Sequence, residues 1–335
     1  MNWYLQSTQN SDVVKSTRIR LARNLREFKF NLKTQQEIEN LENKIKEILY
    51  NLGYGLKFFK LKNMDNITNL SLVEKNLISK EFAKDNLGSI LINDDENICI
   101  MIGGEDHLKI QVFNSGLDLE NTLNLAIEID EKIEENLQYA TNQKYGYLTA
   151  CPNNVGTALK ASVILHLPAL SKTGNAKKLL DAISRFGINV KSLTNSIAEE
   201  NIQDMYQISN NQTLGITEKE IIENIKAISE KIIEQERIAR KILTKNQLEL
   251  EDIVYRSYGI LTNCKKISTK EMQSLLSNIK LGTDLGILNE LTDLKVQKIY
   301  LLTKNANLQK YLGSKLDYLD REVARAKIIK DIVNE

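Results

Sequence analysis

The strand-type hydrophobic pattern of this chain ends near residue 217, and beyond that point apolar residues recur only at helical spacing. That break limits the fold to a mixed part followed by a purely helical one. Upstream of it, 89–92, 98–102 and 108–113 are short apolar runs joined by short polar turns such as Asn93-Asp94-Asp95-Glu96-Asn97. Connections that short permit only antiparallel pairing, because parallel strands need a crossover of a dozen residues or more. Thr34 with Glu37 forms a capping box; Ile38, Leu41, Ile45 and Ile48 follow at helical spacing, and Gly53 closes the segment. Segments 118–137 and 176–184 are expected as helices, and 205–209 as a strand. Strands at Tyr147 and Leu159 are expected to return to the sheet. Thr217 with Glu220 repeats the capping box before Ile221, Ile225, Ile228 and Ile232, which share one helix face. A last helix is expected to start at Ser314-x-x-Asp317 and bury Leu316, Leu319, Val323 and Ala326. The expected fold class is α+β: an antiparallel β-sheet flanked by helices in 1–240, then an all-α domain in 241–335.

Composition narrows the partners. The 335 residues carry 45 Lys+Arg against 44 Asp+Glu, a net charge of +1, so global charge points to neither nucleic acid nor membrane. No apolar run is long enough to span a bilayer, and the N-terminus lacks the basic flank and apolar core of a signal peptide. Cys99, Cys151 and Cys264 lie far apart with no paired spacing, which argues against a disulfide framework or a metal site and for the reducing cytoplasm.

Four segments carry candidate chemistry. In Ser16-Thr17-Arg18-Ile19-Arg20, the two arginines share one face of an extended backbone and can grip one polyphosphate; the alternative is an ordinary charged surface element. In Gly103-Gly104-Glu105-Asp106-His107-Leu108-Lys109, Glu105 offers a bidentate carboxylate at a strand turn, or is merely a polar hairpin tip. In 146–170, an apolar run of 147–150 ends at Cys151-Pro152, and a turn rich in backbone donors follows before Lys160 and His166. A thiol there suits a binding site, against the usual fate of an inert buried cysteine. Finally, Arg321 and Arg325 lie one helical turn apart beside Glu322. Their mutual repulsion would be relieved by an anion; the alternative is a solvated basic face.

Together these segments resemble the phosphagen (guanidino) kinases, and most closely the bacterial protein arginine kinases. The resemblance runs from about Val14 to Asp331. Arg18 and Arg20 fall in a motif similar to Ser-Ser/Thr-Arg-x-Arg; 103–109 resembles Asn-Glu-Glu-Asp-His-x-Arg, with Gly103, Gly104 and Lys109 as departures. Residues 151–157 match Cys-Pro-x-Asn-x-Gly-Thr, Tyr206 to Asn210 match Tyr-Gln-Ile-Ser-Asn, and 321–326 resembles Arg-Asp-x-x-Arg-Ala with Glu322 for Asp.

The resemblance implies transfer of the ATP γ-phosphate, with Mg2+, to arginine side chains of proteins. It assigns Arg18, Arg20, His107, Lys109 and Lys160 to the nucleotide, Glu105 to the base and guanidinium clamp, Cys151 to the guanidinium as thiolate, and Arg321, Glu322 and Arg325 to phosphoarginine. It further implies protein substrates with exposed Arg, marked for Clp-type proteolysis or acting as a stress repressor, a Clp-type AAA+ unfoldase and a zinc-finger activator as partners, and a homodimer built by the helical domain. One loop departs from the pattern. Gap-free counting places Ser192 where the family has Arg and Ile197 where it has Glu, with Lys191, Glu199 or Glu200 as possible substitutes. The alternative is therefore a pseudokinase acting as a phosphoarginine-binding adaptor, or a slow kinase that needs its activator.

Overall fold

The computed structural model describes all residues except 1, 7, 9, 194–200 and 202. Its strands are β1 (Val14–Arg23), β2 (Lys57–Lys60), β3 (Ser89–Ile92), β4 (Ile98–Ile102), β5 (Leu108–Ser115), β6 (Thr141–Asn142), β7 (Gly146–Tyr147), β8 (Leu159–His166), β9 (Ile188–Ser192) and β10 (Met205–Asn210). Its helices in the first part are α1 (Gln35–Tyr50), α2 (Asn66–Glu74), α3 (Lys80–Asp85), α4 (Leu119–Glu134), α5 (Pro168–Lys172), α6 (Ala176–Ser184) and α7 (Glu218–Leu243). The second part holds α8 (Gln247–Asn263), α9 (Thr269–Asp284), α10 (Asp293–Leu302), α11 (Asn305–Leu312) and α12 (Tyr318–Asn334). The α+β expectation holds. Eight strands form one antiparallel sheet in the order β2-β3-β4-β5-β1-β8-β10-β9.

The two faces of that sheet differ because side chains alternate along each strand. Ile19 pairs across to Val112 and Ala161, and Leu21 to Ile110 and Leu159; with Val163 and Ile208 they form a buried face packed on α1, α4 and α7. The opposite face carries Arg18, Arg20, Lys109, Gln111, Lys160 and Ser162 from the same three strands. At the β3–β4 side this second face is closed by α2 and α3, where Leu72 and Phe82 pack on Ile90, Cys99 and Met101. The β1–β8–β10 side is left open.

Both capping boxes form: Thr34 and Thr217 accept from the N–H groups of Glu37 and Glu220, whose carboxylates answer the cap N–H. Three expectations need correction. Residues 147–150 do not join the main sheet: Gly146–Tyr147 pairs only with Thr141–Asn142 and bridges to Gly156. The last helix is capped by Asp317, not Ser314, and Leu319 and Val323 face outward, while Glu322, Arg325, Ala326 and Ile329 are buried. Edge strands β2 and β9 had no sequence signal of their own, being short and half exposed.

Helices α8–α12 enclose a second core around Val254, Met272, Ile279, Ile299, Leu308 and Ile329. They dock over the open side of the sheet. The Glu74 carboxylate at the end of α2 accepts from the N–H groups of Ala306 and Asn307 in the first turn of α11. Negative charge is favoured at that helix end. Ser277 donates to Asp204 at 2.6 Å, and Arg240 of α7 reaches Asp284 of α9.

Candidate functional site

The docked helices and the open sheet face enclose a cleft of about 560 Å³, lined by Arg18, Arg20, Lys109 and Gln111 from the sheet, by Lys80 near α2 and α3, and by Thr269, Lys304 and Asn305 from the helical part. Neither the Arg18 nor the Arg20 guanidinium has a hydrogen bond or ion pair among the described residues, although burial pushes Arg18 down to about 10, helped by the charge of Arg20. Burial also lowers Arg20, opposed by the nearby Asp106 and Glu105 carboxylates. Lys160, directly across from Arg20, falls to about 8 through burial and through Arg20, Lys191 and Arg18. Desolvated cations left without acids are costly unless an anion completes them.

Lys191 belongs to this set. It pairs with Gln207 on the open face, whereas Ser192 pairs with Tyr206 and lies on the opposite face with Leu165. The position that gap-free counting gave to an arginine therefore points away from the cations, and its neighbour supplies a charge. Ile197, Glu199 and Glu200 lie outside the described residues.

Asn24, at the end of β1, ties the acidic turn to the cysteine turn. Its amide donates to Asp106 Oδ1 at 2.8 Å and to the Leu148 carbonyl at 3.1 Å, and its carbonyl oxygen accepts from the His107 N–H. Asp106 Oδ1 also accepts from the Ala150 N–H at 2.8 Å. Glu105 and Cys151 each stand one residue from that bond. Glu105 is half exposed and pairs with Lys109 at 3.2 Å. The cysteine turn is pinned from behind by Thr213, which donates to Asn153 O and Val155 O. Gly156 has φ +117°, and a Cβ there would meet Thr213 O at 2.1 Å, so only glycine fits.

His107 is not among the residues lining the cleft. Its Nδ1 accepts from Leu25 N–H, which leaves the proton on Nε2 to donate to Lys29 O, and the ring lies against Phe28 and Phe30. Its place is that of a brace between the hairpin and the chain after β1. Arg23 is likewise structural: its fork grips Asp130 at 2.6 Å and stacks 3.6 Å from the Tyr147 ring. In the helical part, Arg325 spends its fork on Thr303 O, Ile267 O and Asn305 Oδ1, the last on a residue that lines the cleft. Arg321 donates to Leu316 O, and Glu322 is mostly buried beside Tyr318. Sequence reasoning missed Asn24 and Asp106 as organisers; their only signal was their place beside Arg23 and Glu105.

Comparison with known proteins bears on this geometry. The family described as ATP:guanido phosphotransferase, C-terminal catalytic domain, matches residues 39–239. The chain belongs to the ATP:guanido phosphotransferase family. Residues 247–335 match a second family, described as the protein-arginine kinase McsB C-terminal domain. A protein-arginine kinase of Halothermothrix orenii is 42% identical over 337 residues, covering 99% of this chain and 96% of that protein. One from Bacillus pumilus is 39% identical, covering 98% and 92%. Among solved structures, the duplicated taurocyamine kinase from Schistosoma mansoni with bound transition state analog components aligns with a TM-score of 0.59 at 25% identity, over 69% of this chain and 34% of that one. Lombricine kinase aligns with 0.58 at 25%, over 70% and 69%. The unpaired cations of the open face fit the ATP that this family uses. Among the described residues no three carboxylate, histidine or cysteine side chains gather as a metal site.

Proposed function

We propose that this chain transfers the γ-phosphate of ATP to arginine side chains of proteins. The observation that carries this is a set of cations without acid partners among the described residues (Arg18, Arg20, Lys160, Lys191) on the sheet face that also carries Lys109, while the Asp106–Ala150 bond holds the turn bearing Glu105 to the turn bearing Cys151. The relatives named protein-arginine kinase, matched along nearly their whole length, support the protein substrate. Arg18, Arg20, Lys109 and Lys160 hold the polyphosphate, and Mg2+ arriving with ATP would supply further neutralisation of the phosphate charge. Such transfer depends mostly on positioning and charge neutralisation. Glu105 clamps the incoming guanidinium, releasing its ion pair with Lys109, and takes the proton as nitrogen bonds to phosphorus and the bond to ADP breaks. Cys151 contacts the guanidinium from the facing turn. His107 braces the turn that presents Glu105.

Residues 1–240 form the catalytic unit in this reading, and 241–335 a module for dimerisation and phosphoarginine reading, in which Arg321 is the arginine left to meet a phosphate and Arg325, its fork spent on Thr303, Ile267 and Asn305, holds the helix in place. Exposed Leu248, Tyr255 and Ile260 on α8, with Leu319 and Val323 on α12, support a homodimer. A cytoplasmic setting, a Clp-type unfoldase receiving the marked proteins or control of a stress repressor, and a zinc-finger activator complete the reading. The adaptor alternative keeps its support from the partly exposed Arg321, whose only hydrogen bond among the described residues goes to the Leu316 carbonyl, and from the uncharged Ser192. The test is ADP release with an arginine-rich protein and with the same protein carrying lysine at every arginine. Release only with the former supports arginine phosphorylation; equal release, or none, overturns it.

A further inference from the structure

Lys304 stands out among the cations of the cleft because it comes from the helical part. It is the residue before α11, and its backbone is fixed where Glu74 binds the next two N–H groups but one. Its ammonium donates to a neutral acceptor, the Glu74 carbonyl at 2.9 Å, and lies 4.4 Å from the Tyr300 ring centre. No acid pairs with Lys304 among the described residues, since the Glu74 carboxylate is taken up by α11. Lys304 lines the main cleft with Arg18 and Arg20, and it also lines the smaller cavity that continues past Ser16 and Ile164. It therefore stands at the junction, on the wall facing the sheet arginines.

We propose that Lys304 is a phosphate-contacting residue of this cleft, so that ATP is held between the catalytic sheet and the helical module. The proposal rests on the nucleotide reading of the cleft. A lysine at a cavity junction supplies a mobile point charge that can leave a carbonyl for a phosphate oxygen. Its anchoring on α11 would make polyphosphate binding draw the two parts of the chain together, with the Glu74 cap as the fixed point.

Calorimetric titration of the whole chain with ATP and with AMP tests this. Lys304→Met should weaken ATP about tenfold, as loss of one charge-assisted contact does, leave AMP binding unchanged, and be rescued by Lys304→Arg. Arg18→Ala is the control. If Arg18→Ala weakens ATP and Lys304→Met does not, Lys304 is only a latch on α2 and the proposal fails while the nucleotide reading stands. If neither variant weakens ATP, the nucleotide reading itself fails. In the unmutated protein, ATP but not AMP should slow acylation of the Lys304 amine, which tests the contact even if Lys304→Met disturbs docking. Equal protection by both nucleotides, or by neither, overturns it.

Discussion

The Asp106 carboxylate accepts a hydrogen bond from the backbone N–H of Ala150 at 2.8 Å, and this one bond fixes where the acidic turn stands relative to the cysteine turn. Asp106 is fully buried, and its second oxygen has no hydrogen-bond partner among the described residues. A buried carboxylate with one oxygen unanswered persists when its position is worth more than its solvation.

Asp106→Ala strands the Ala150 N–H and the Asn24 amide. The expected loss of stability is about 1–3 kcal/mol, measured by urea unfolding. Turnover should fall far more than that loss explains, about a hundredfold, since misplacement by about 1 Å costs that much. ATP affinity should change little. Full turnover in a folded variant would show that the bond does not set the site.

Cys151→Ala should depress turnover strongly, by roughly 10²-fold if the thiol meets the reacting guanidinium, while ATP binding stays near normal. Cys151 is a free, half-buried cysteine, so its truncation should leave the fold intact, and a thermal melt checks it. Equal loss of turnover and of nucleotide affinity would mean that the thiol only supports the turn.

Lys160 gives a pH signature. Its free-state value of about 8 lies below that of an ordinary lysine, so it is charged below pH 8 and neutral above. An anion favours the charged form. ATP affinity should thus be full below pH 8 and fall as pH rises through 8, with a proton taken up on binding near that pH. Calorimetry in buffers of different ionisation enthalpy reads the proton directly. Lys160→Arg should remove both effects; a pH-independent affinity in the unmutated chain would place Lys160 outside the site.

Arg321 and Arg325 separate on stability. Arg325 is 1% exposed and satisfies three acceptors, so Arg325→Ala should cost about 3 kcal/mol or more in unfolding experiments. Arg321 is partly exposed with a single backbone contact, and Arg321→Ala should stay folded while losing affinity for free phosphoarginine. A variant at Arg321 that binds phosphoarginine normally would remove Arg321 from any phosphoarginine site.

Much of this was legible in the sequence for physical reasons. Helix starts at Thr34 and Thr217 were readable because a capping box needs two specific residues three apart, and both formed. Arg18 and Arg20 could be paired on one face because a strand alternates with period two. The 147–150 segment was misread as a strand of the main sheet: the Tyr147 ring lies on the Arg23 guanidinium and the Leu148 carbonyl accepts from Asn24, rather than continuing a ladder. His107 looked like a ligand, yet both ring nitrogens are consumed by backbone, and no pattern in the sequence announces that. The outward turn of Leu319 and Val323 was hidden for a related reason. Buried Arg325 and Glu322 occupy the inner face, reversing the usual rule that charges lie outside.

The most direct test of the central claim is phosphorus NMR of the purified chain with ATP, Mg2+ and an arginine-rich protein. The account predicts a new phosphorus–nitrogen resonance on the protein that grows with ADP, disappears on acid treatment, and is absent with Glu105→Gln. ATP bound at the Arg18–Arg20 face without any such resonance would contradict catalysis, and would leave the chain as a binding protein.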